Sequence, residues 1–198
     1  MMIDHVHWLD DLPIQDLDLL NRLTQYFDTI ESRLREGQGW LIFNADRQRS
    51  ARITNLVISR LSQLRPLISY YLAPWRDFSL NAYMHEVELV ARANAEDATG
   101  NDKIQHEYRI AKRVSEDSYY LMLTCDVLVL SGVTPQHPHE LRYFDLVTEG
   151  RQRKRLPTFV VTPRMPHELH EDLHTIDPSD TYWDRIFRRL YRTSLIAL

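Results

Sequence analysis

The chain has 198 residues, 43% of them hydrophobic and 26% charged, a composition that fits one globular domain with a sizeable core. A formal charge of −4 gives no global attraction to nucleic acid, so any such contact has to be a local patch. No apolar run approaches the roughly 18 residues that span a bilayer, and Met1 to His5 lack the basic and apolar parts of a signal peptide, so a cytoplasmic address and no membrane contact are expected.

In chain order, Leu20, Leu23, Phe27, Ile30 and Leu34 recur at helical spacing within Ile14 to Glu36, and Gly37 and Gly39 stop the pattern. This helix reads as an N-terminal extension, residues 1–38, ahead of a core over 39–198. Its apolar stripe is a candidate docking surface for a partner; packing on its own domain is the plainer alternative. Trp40 to Phe43 forms an apolar strand, followed by the turn Asn44 to Ala51 and an amphipathic stretch, Arg52 to Leu64. Leu67 to Leu72 reads as a second strand that Pro74 ends. Asn81 is the expected N-cap of a helix carrying Tyr83, Met84, Val87, Leu89 and Val90, which fades into a polar loop over Asn94 to Asp102.

A charged helix is expected from Lys103 to Tyr120, and then Asp126 to Leu130, nearly all apolar, fits a central parallel strand covered on both faces. The single Cys125 at its entry has no disulfide partner and reads as a small core residue. After Pro135 and Pro138 come a helix over His139 to Arg153, a fourth strand over Thr158 to Thr162, a short helix over Pro166 to Leu173, an amphipathic helix over Asp180 to Arg192, and a fifth strand over Ser194 to Leu198. Five short strands alternating with helices predict an α/β domain with a five-stranded, mainly parallel sheet flanked by helices.

In this order the chain resembles an AAA+ domain of the P-loop NTPase fold, and within it the DnaC/IstB-type helicase loaders and transposition helpers. The turn after the first strand holds the place of the Walker A loop, and Phe78 to Met84 resembles a second-strand end leading into a helix. Asp126 to Val133 lies where the Walker B strand and its acidic pair stand. Leu141 to Phe144, continued by Arg151 to Thr158, resembles a helix, an arginine-rich turn and the sensor 1 strand, and Asp184 to Leu190 resembles the segment with the arginine finger. The likeness covers Gly39 to Leu198, and the chain ends at its fifth strand without a helical lid, as short loaders do.

The departures are concentrated on the nucleotide site. A Walker A loop, G-x-x-x-x-G-K-[ST], would span Asn44 to Ala51, but Ser50 holds the lysine position, Ala51 the Ser/Thr position, and Arg49 a glycine position, with Asp46 and Arg47 in the stretch between and no glycine anywhere in the loop. Ser131 and Gly132 stand in place of the Walker B acids, and Pro163 in place of the sensor 1 polar residue. Lost together, these groups imply no NTP hydrolysis, no catalytic residue and no cofactor. Arg47, Arg49 and Arg52 leave weak anion binding open, against a plainer reading as a solvated surface loop.

Other candidates carry less. Arg151, Arg153, Lys154 and Arg155 form a basic run that is either a DNA contact or a cationic helix end. Arg185, Arg188 and Arg189, with Arg192, are either trans-acting arginines that reach a partner's nucleotide site or salt-bridged helix surface. His167 and His170, and His137 and His139, lack a third ligand at fixed spacing, so no metal site is expected. What the resemblance implies is a catalytically inactive adaptor in replication or transposition, with a replicative helicase or an active AAA+ ATPase as protein partner. An enzyme with a reworked pocket at the strand ends, or a DNA-binding module, are the alternatives.

Overall fold

The computed structural model describes residues 14–64, 67–93, 102–179 and 181–198. Two helices, α1 (Ile14–Asp28) and α2 (Ile30–Glu36), lead into β1 (Gly39–Ile42) and α3 (Arg47–Gln63). Then come β2 (Tyr70–Pro74), α4 (Trp75–Ala93), α5 (Asp102–Thr124), β3 (Val127–Ser131) and α6 (Pro138–Arg153). The chain closes with β4 (Thr158–Val161), α7 (Pro166–Ile176), α8 (Thr181–Thr193) and β5 (Ser194–Ala197). The strands form one parallel sheet in the order β2-β3-β4-β1-β5. Among the described residues, no helix is long and apolar enough to cross a membrane.

Alternation along each strand divides the core in two. Leu41, Phe43, Leu128, Leu130 and Val160 face Trp75, Phe78, Leu141, Phe144, Trp183 and Ile186 of α4, α6 and α8. Trp40, Ile42, Val127, Val129, Phe159 and Val161 face the opposite layer, built by α1 to α3 with Leu23, Tyr26, Ile53, Val57 and Leu61. Covered on both sides, β1, β3 and β4 are apolar at nearly every position. Gly39 is required where β1 starts, because a Cβ there would come within 2.1 Å of the Thr158 carbonyl oxygen.

Several boundaries differ from the sequence reading: α3 already starts at Arg47, α5 runs on to Thr124, and the starts of β2 and α4 move. β2 begins at Tyr70 because the Asp126 carboxylate accepts from the Ser69 N–H and hydroxyl, and pairing with β3 starts at Tyr70 and Val127. Leu67, read as strand, lies in the preceding turn and is exposed. Asn81 is inside α4, which starts directly after Pro74 because Trp75, Phe78 and Ala82, at helical spacing, bury on the sheet. Phe78 to Met84 is therefore helix throughout. Pro74 is tolerated as the last residue of an edge strand. The polar loop expected after Asn94 lies mostly outside the described residues.

The N-terminal helical pattern breaks at Thr29 into α1 and α2, and its apolar stripe is not offered to solvent. Leu19, Leu23, Tyr26, Phe27 and Ile30 are buried against β1 and β4, with the Tyr26 ring edge-on to Trp40 and Phe159. The docking surface expected on this helix is thus spent on the chain's own sheet. Leu23→Ala should destabilise the protein by about 2–4 kcal/mol in a urea titration. A helix that is not part of the core would show a change within about 0.5 kcal/mol.

Candidate functional site

Adjacent strands β1 and β4 send the chain to opposite faces, β1 to α3 and β4 to α7 and α8, which opens a crevice at the C-terminal ends of the strands. Such switch points are where open α/β sheets bind ligands. Here a cleft of about 460 Å³ lies between α3 and the ends of β3 and β4. Arg47, Ser50, Ala51 and Asn55 line one wall, and Ser131, Gly132, Thr134 and Pro163 the other. Of the positions the sequence assigned to one nucleotide site, Arg47, Ser50, Ala51, Ser131, Gly132 and Pro163 line this cleft, whereas Asn44, Asp46 and Arg49 do not. Gly132 has φ +69°, a left-handed turn that redirects the chain out of β3.

The β1–α3 turn is short and its polar groups are already engaged. The Asn44 N–H donates to the Arg164 carbonyl at 3.0 Å and the Ala45 N–H to the Thr162 carbonyl at 2.9 Å. Asp46 caps α3, its Oδ1 accepting from the Arg49 N–H at 2.7 Å. A helix N-terminus in this position is a ready anion site. Here the anion is a carboxylate of the chain itself.

Arg49, read from the sequence as standing at a glycine of the phosphate-binding pattern, does not line the cleft. It is neither a phosphate ligand nor part of a solvated loop: it is 8% exposed. Nε donates to Asp16 Oδ1 at 2.7 Å, Nη1 to the Phe43 and Asn44 carbonyls at 3.0 and 2.9 Å, and Nη2 to the Leu198 carbonyl at 2.9 Å. Arg52 joins it on the second carboxylate oxygen of Asp16 at 3.1 Å. The arginine therefore ties together α1, the exit of β1 and the end of β5. The sequence carries a signal for this, since Arg49, Ile53, Val57 and Leu61 recur every four residues along the buried face of α3.

The donor set of the cleft does not match a magnesium nucleotide. Its lining has one guanidinium, from Arg47, together with hydroxyls and an amide, and among the described residues no lysine and no carboxylate. Magnesium is held by oxygen ligands that include carboxylates, and the attacking water needs an orienting group. Neither Ala51 nor Ser131, which line the cleft, supplies a carboxylate.

The other candidate residues separate by burial. Arg151 is 1% exposed and is not a DNA contact. Nη1 donates to the Met122 and Cys125 carbonyls, Nη2 to those of Asp126 and Pro157, and Nε to Thr158 Oγ1. Burial lowers its pKa and raises that of the neighbouring Cys125 thiol, with each side chain partly offsetting the shift of the other. Arg153, Lys154 and Arg155 remain exposed, with Arg153 paired to Glu149 at 2.6 Å.

On α8, Arg189 is turned inward, its Nη1 at 2.9 Å from Asp145 Oδ1. Arg185 pairs with the other oxygen of Asp145 yet stays half exposed, and Arg188 pairs with Asp184 at the surface. His170 Nδ1 accepts from the Trp183 indole N–H at 3.1 Å, and His137 and His139 stack on each other.

Compared with known proteins, the chain matches no family model and no curated protein. Among solved structures it is similar to the DnaC helicase loader, with a TM-score of 0.58 and 12% identity over 94% of this chain and 90% of that one. A candidate primosome component from Streptococcus pyogenes serotype M3 is also similar, with a TM-score of 0.49 and 13% identity over 88% and 77%. The likeness is one of fold: a five-stranded parallel sheet flanked by helices, as in the DnaC helicase loader.

Arg151→Met should cost about 3–5 kcal/mol in equilibrium unfolding, because it strands four buried carbonyls and a threonine hydroxyl. Arg153→Ala should stay within about 0.5 kcal/mol of the parent. Equal, small effects would place Arg151 at the surface.

Proposed function

We propose that this chain is a nucleotide-independent AAA+-like partner protein that works by protein–protein contact in DNA replication. The observation that carries the proposal is the lining of the strand-end cleft, where Ser50, Ala51, Ser131 and Gly132 replace the ammonium, hydroxyl and carboxylates of phosphoryl transfer. The neighbouring carboxylate of Asp46 further disfavours a phosphate at the start of α3. The likeness to a helicase loader supports the replication context, with a replicative helicase or an intact AAA+ ATPase as the partner.

In this reading Arg185 and Arg188 are the arginines offered to a partner's nucleotide site. Both are exposed and lie one turn apart on α8, each held by a single carboxylate that can be exchanged for a phosphate. Arg189 is excluded from that role because its Nε and Nη1 are committed to Gln152, Asp145 and Thr148.

The purified chain should release no phosphate from ATP above the buffer rate at millimolar ATP and magnesium. Mixed with the DnaC-type loader or replicative helicase of the same organism, it should co-elute and change the partner's ATPase rate. The double substitution Arg185→Ala and Arg188→Ala should remove most of that change while the complex still forms. Intrinsic turnover that disappears in an Arg47→Ala variant would overturn the reading.

A further inference from the structure

A second cleft, of about 250 Å³, lies at the opposite end of the sheet, where β1, β4 and β5 begin. It is bounded by the end of α2 and by the last turns of α6 and α8, and its charged lining residues are Glu36, Arg155 and Arg189. Three features there are unexplained by folding.

The first is a guanidinium fixed on one side and free on the other. Arg189 Nε donates to Gln152 Oε1 at 3.1 Å, and Nη1 donates to Asp145 Oδ1 at 2.9 Å and Thr148 Oγ1 at 2.8 Å. Nη2 has no partner among the described residues. Asp145 is also the partner of Arg185 at 2.9 Å, so one buried carboxylate serves two guanidiniums. Arg155, Arg185 and Arg189 against Asp145 and Glu36 leave the group with an excess positive charge.

The second is Arg155 itself, which adopts φ +54° beside the left-handed Gly37, whose added Cβ would come 2.8 Å from the Arg155 carbonyl oxygen. A turn of this kind favours glycine, and a strained non-glycine residue is a pointer to function. The third is Thr158, 8% exposed. Its Oγ1 accepts from Arg151 Nε at 3.0 Å, and its own proton has no acceptor among the described residues.

We propose that this cleft is an oxyanion site for a small phosphate, bound by Arg189 Nη2 and the Arg155 guanidinium, with the Thr158 hydroxyl as a further donor. Guanidinium forks match phosphate oxygens, and a fixed fork loses little freedom when it binds one. The volume holds a single phosphate group with a small substituent rather than a polymer. The site lies apart from the strand-end cleft, and Asp145 is the carboxylate it shares with Arg185.

The test is a thermal-shift and calorimetric titration of the full chain with inorganic phosphate, against chloride at matched ionic strength. Phosphate should bind saturably and raise the melting temperature. Arg155→Gly should raise the melting temperature without ligand, by relieving the left-handed strain, yet weaken phosphate binding about tenfold or more. That split separates a ligand role from a structural one. Arg47→Ala, at the other cleft, should leave the phosphate response unchanged.

A parent protein with no phosphate response, or an Arg155→Gly variant that keeps the full response, would overturn the proposal. Loss of the response in Arg47→Ala would move the anion to the strand-end cleft and also overturn it. So would a single-stranded oligonucleotide that binds through Arg153 and Lys154 with steep salt dependence while phosphate does nothing.

Discussion

The guanidinium of Arg49 is the contact on which the arrangement of this protein turns. In a phosphate-binding loop its position calls for glycine, because the backbone must wrap an oxyanion closely. Here a buried arginine fills it and reaches away from the cleft to Asp16, the carbonyls of Phe43 and Asn44, and Leu198. Leaving the buried Phe43 carbonyl without its donor would alone cost about 1–3 kcal/mol. The turn is thereby a joint holding α1, β1, α3 and β5 in register.

Two consequences follow from that joint. Asp46 caps α3 and meets Arg49 only through the backbone N–H, so the positive end of the helix is neutralised by the chain. Asp16 brings α1 onto the same layer as α3, which explains why the apolar stripe of α1 faces inward. The sheet order and its switch point are preserved, and with them the cleft, while the groups that would act on a nucleotide are absent from its lining.

Much of the architecture was legible in the chain. Trp40–Phe43, Val127–Leu130 and Phe159–Val161 are apolar without interruption because both faces of the sheet are covered, and that pattern is hard to mistake. The start of β2 was not legible, since Leu67 to Tyr71 has strand-like residues throughout and the true register is set by Asp126, fifty-seven positions from Ser69. α4 was misplaced because Asn81 looks like a cap, while the burial of Trp75 and Phe78 decides the start. The direction in which several candidate side chains point was not legible. Arg49, Arg151 and Arg189 were read as surface cations, although each falls on the apolar face of its helix: Arg49 with Ile53, Arg151 with Val147 and Thr148, Arg189 with Ile186. A cation at an apolar position of the helical period is the signature of an internal hydrogen-bond hub.

The central claim is that the β1–α3 turn is closed against phosphate by its own Asp46 and Arg49. It is tested most directly by following the backbone amides of Ala45 to Ser50 by NMR while ATP and magnesium are added. The account predicts that these resonances stay in place up to millimolar nucleotide. Saturable shifts centred on those amides, lost when Ser50 or Arg47 is replaced, would contradict it.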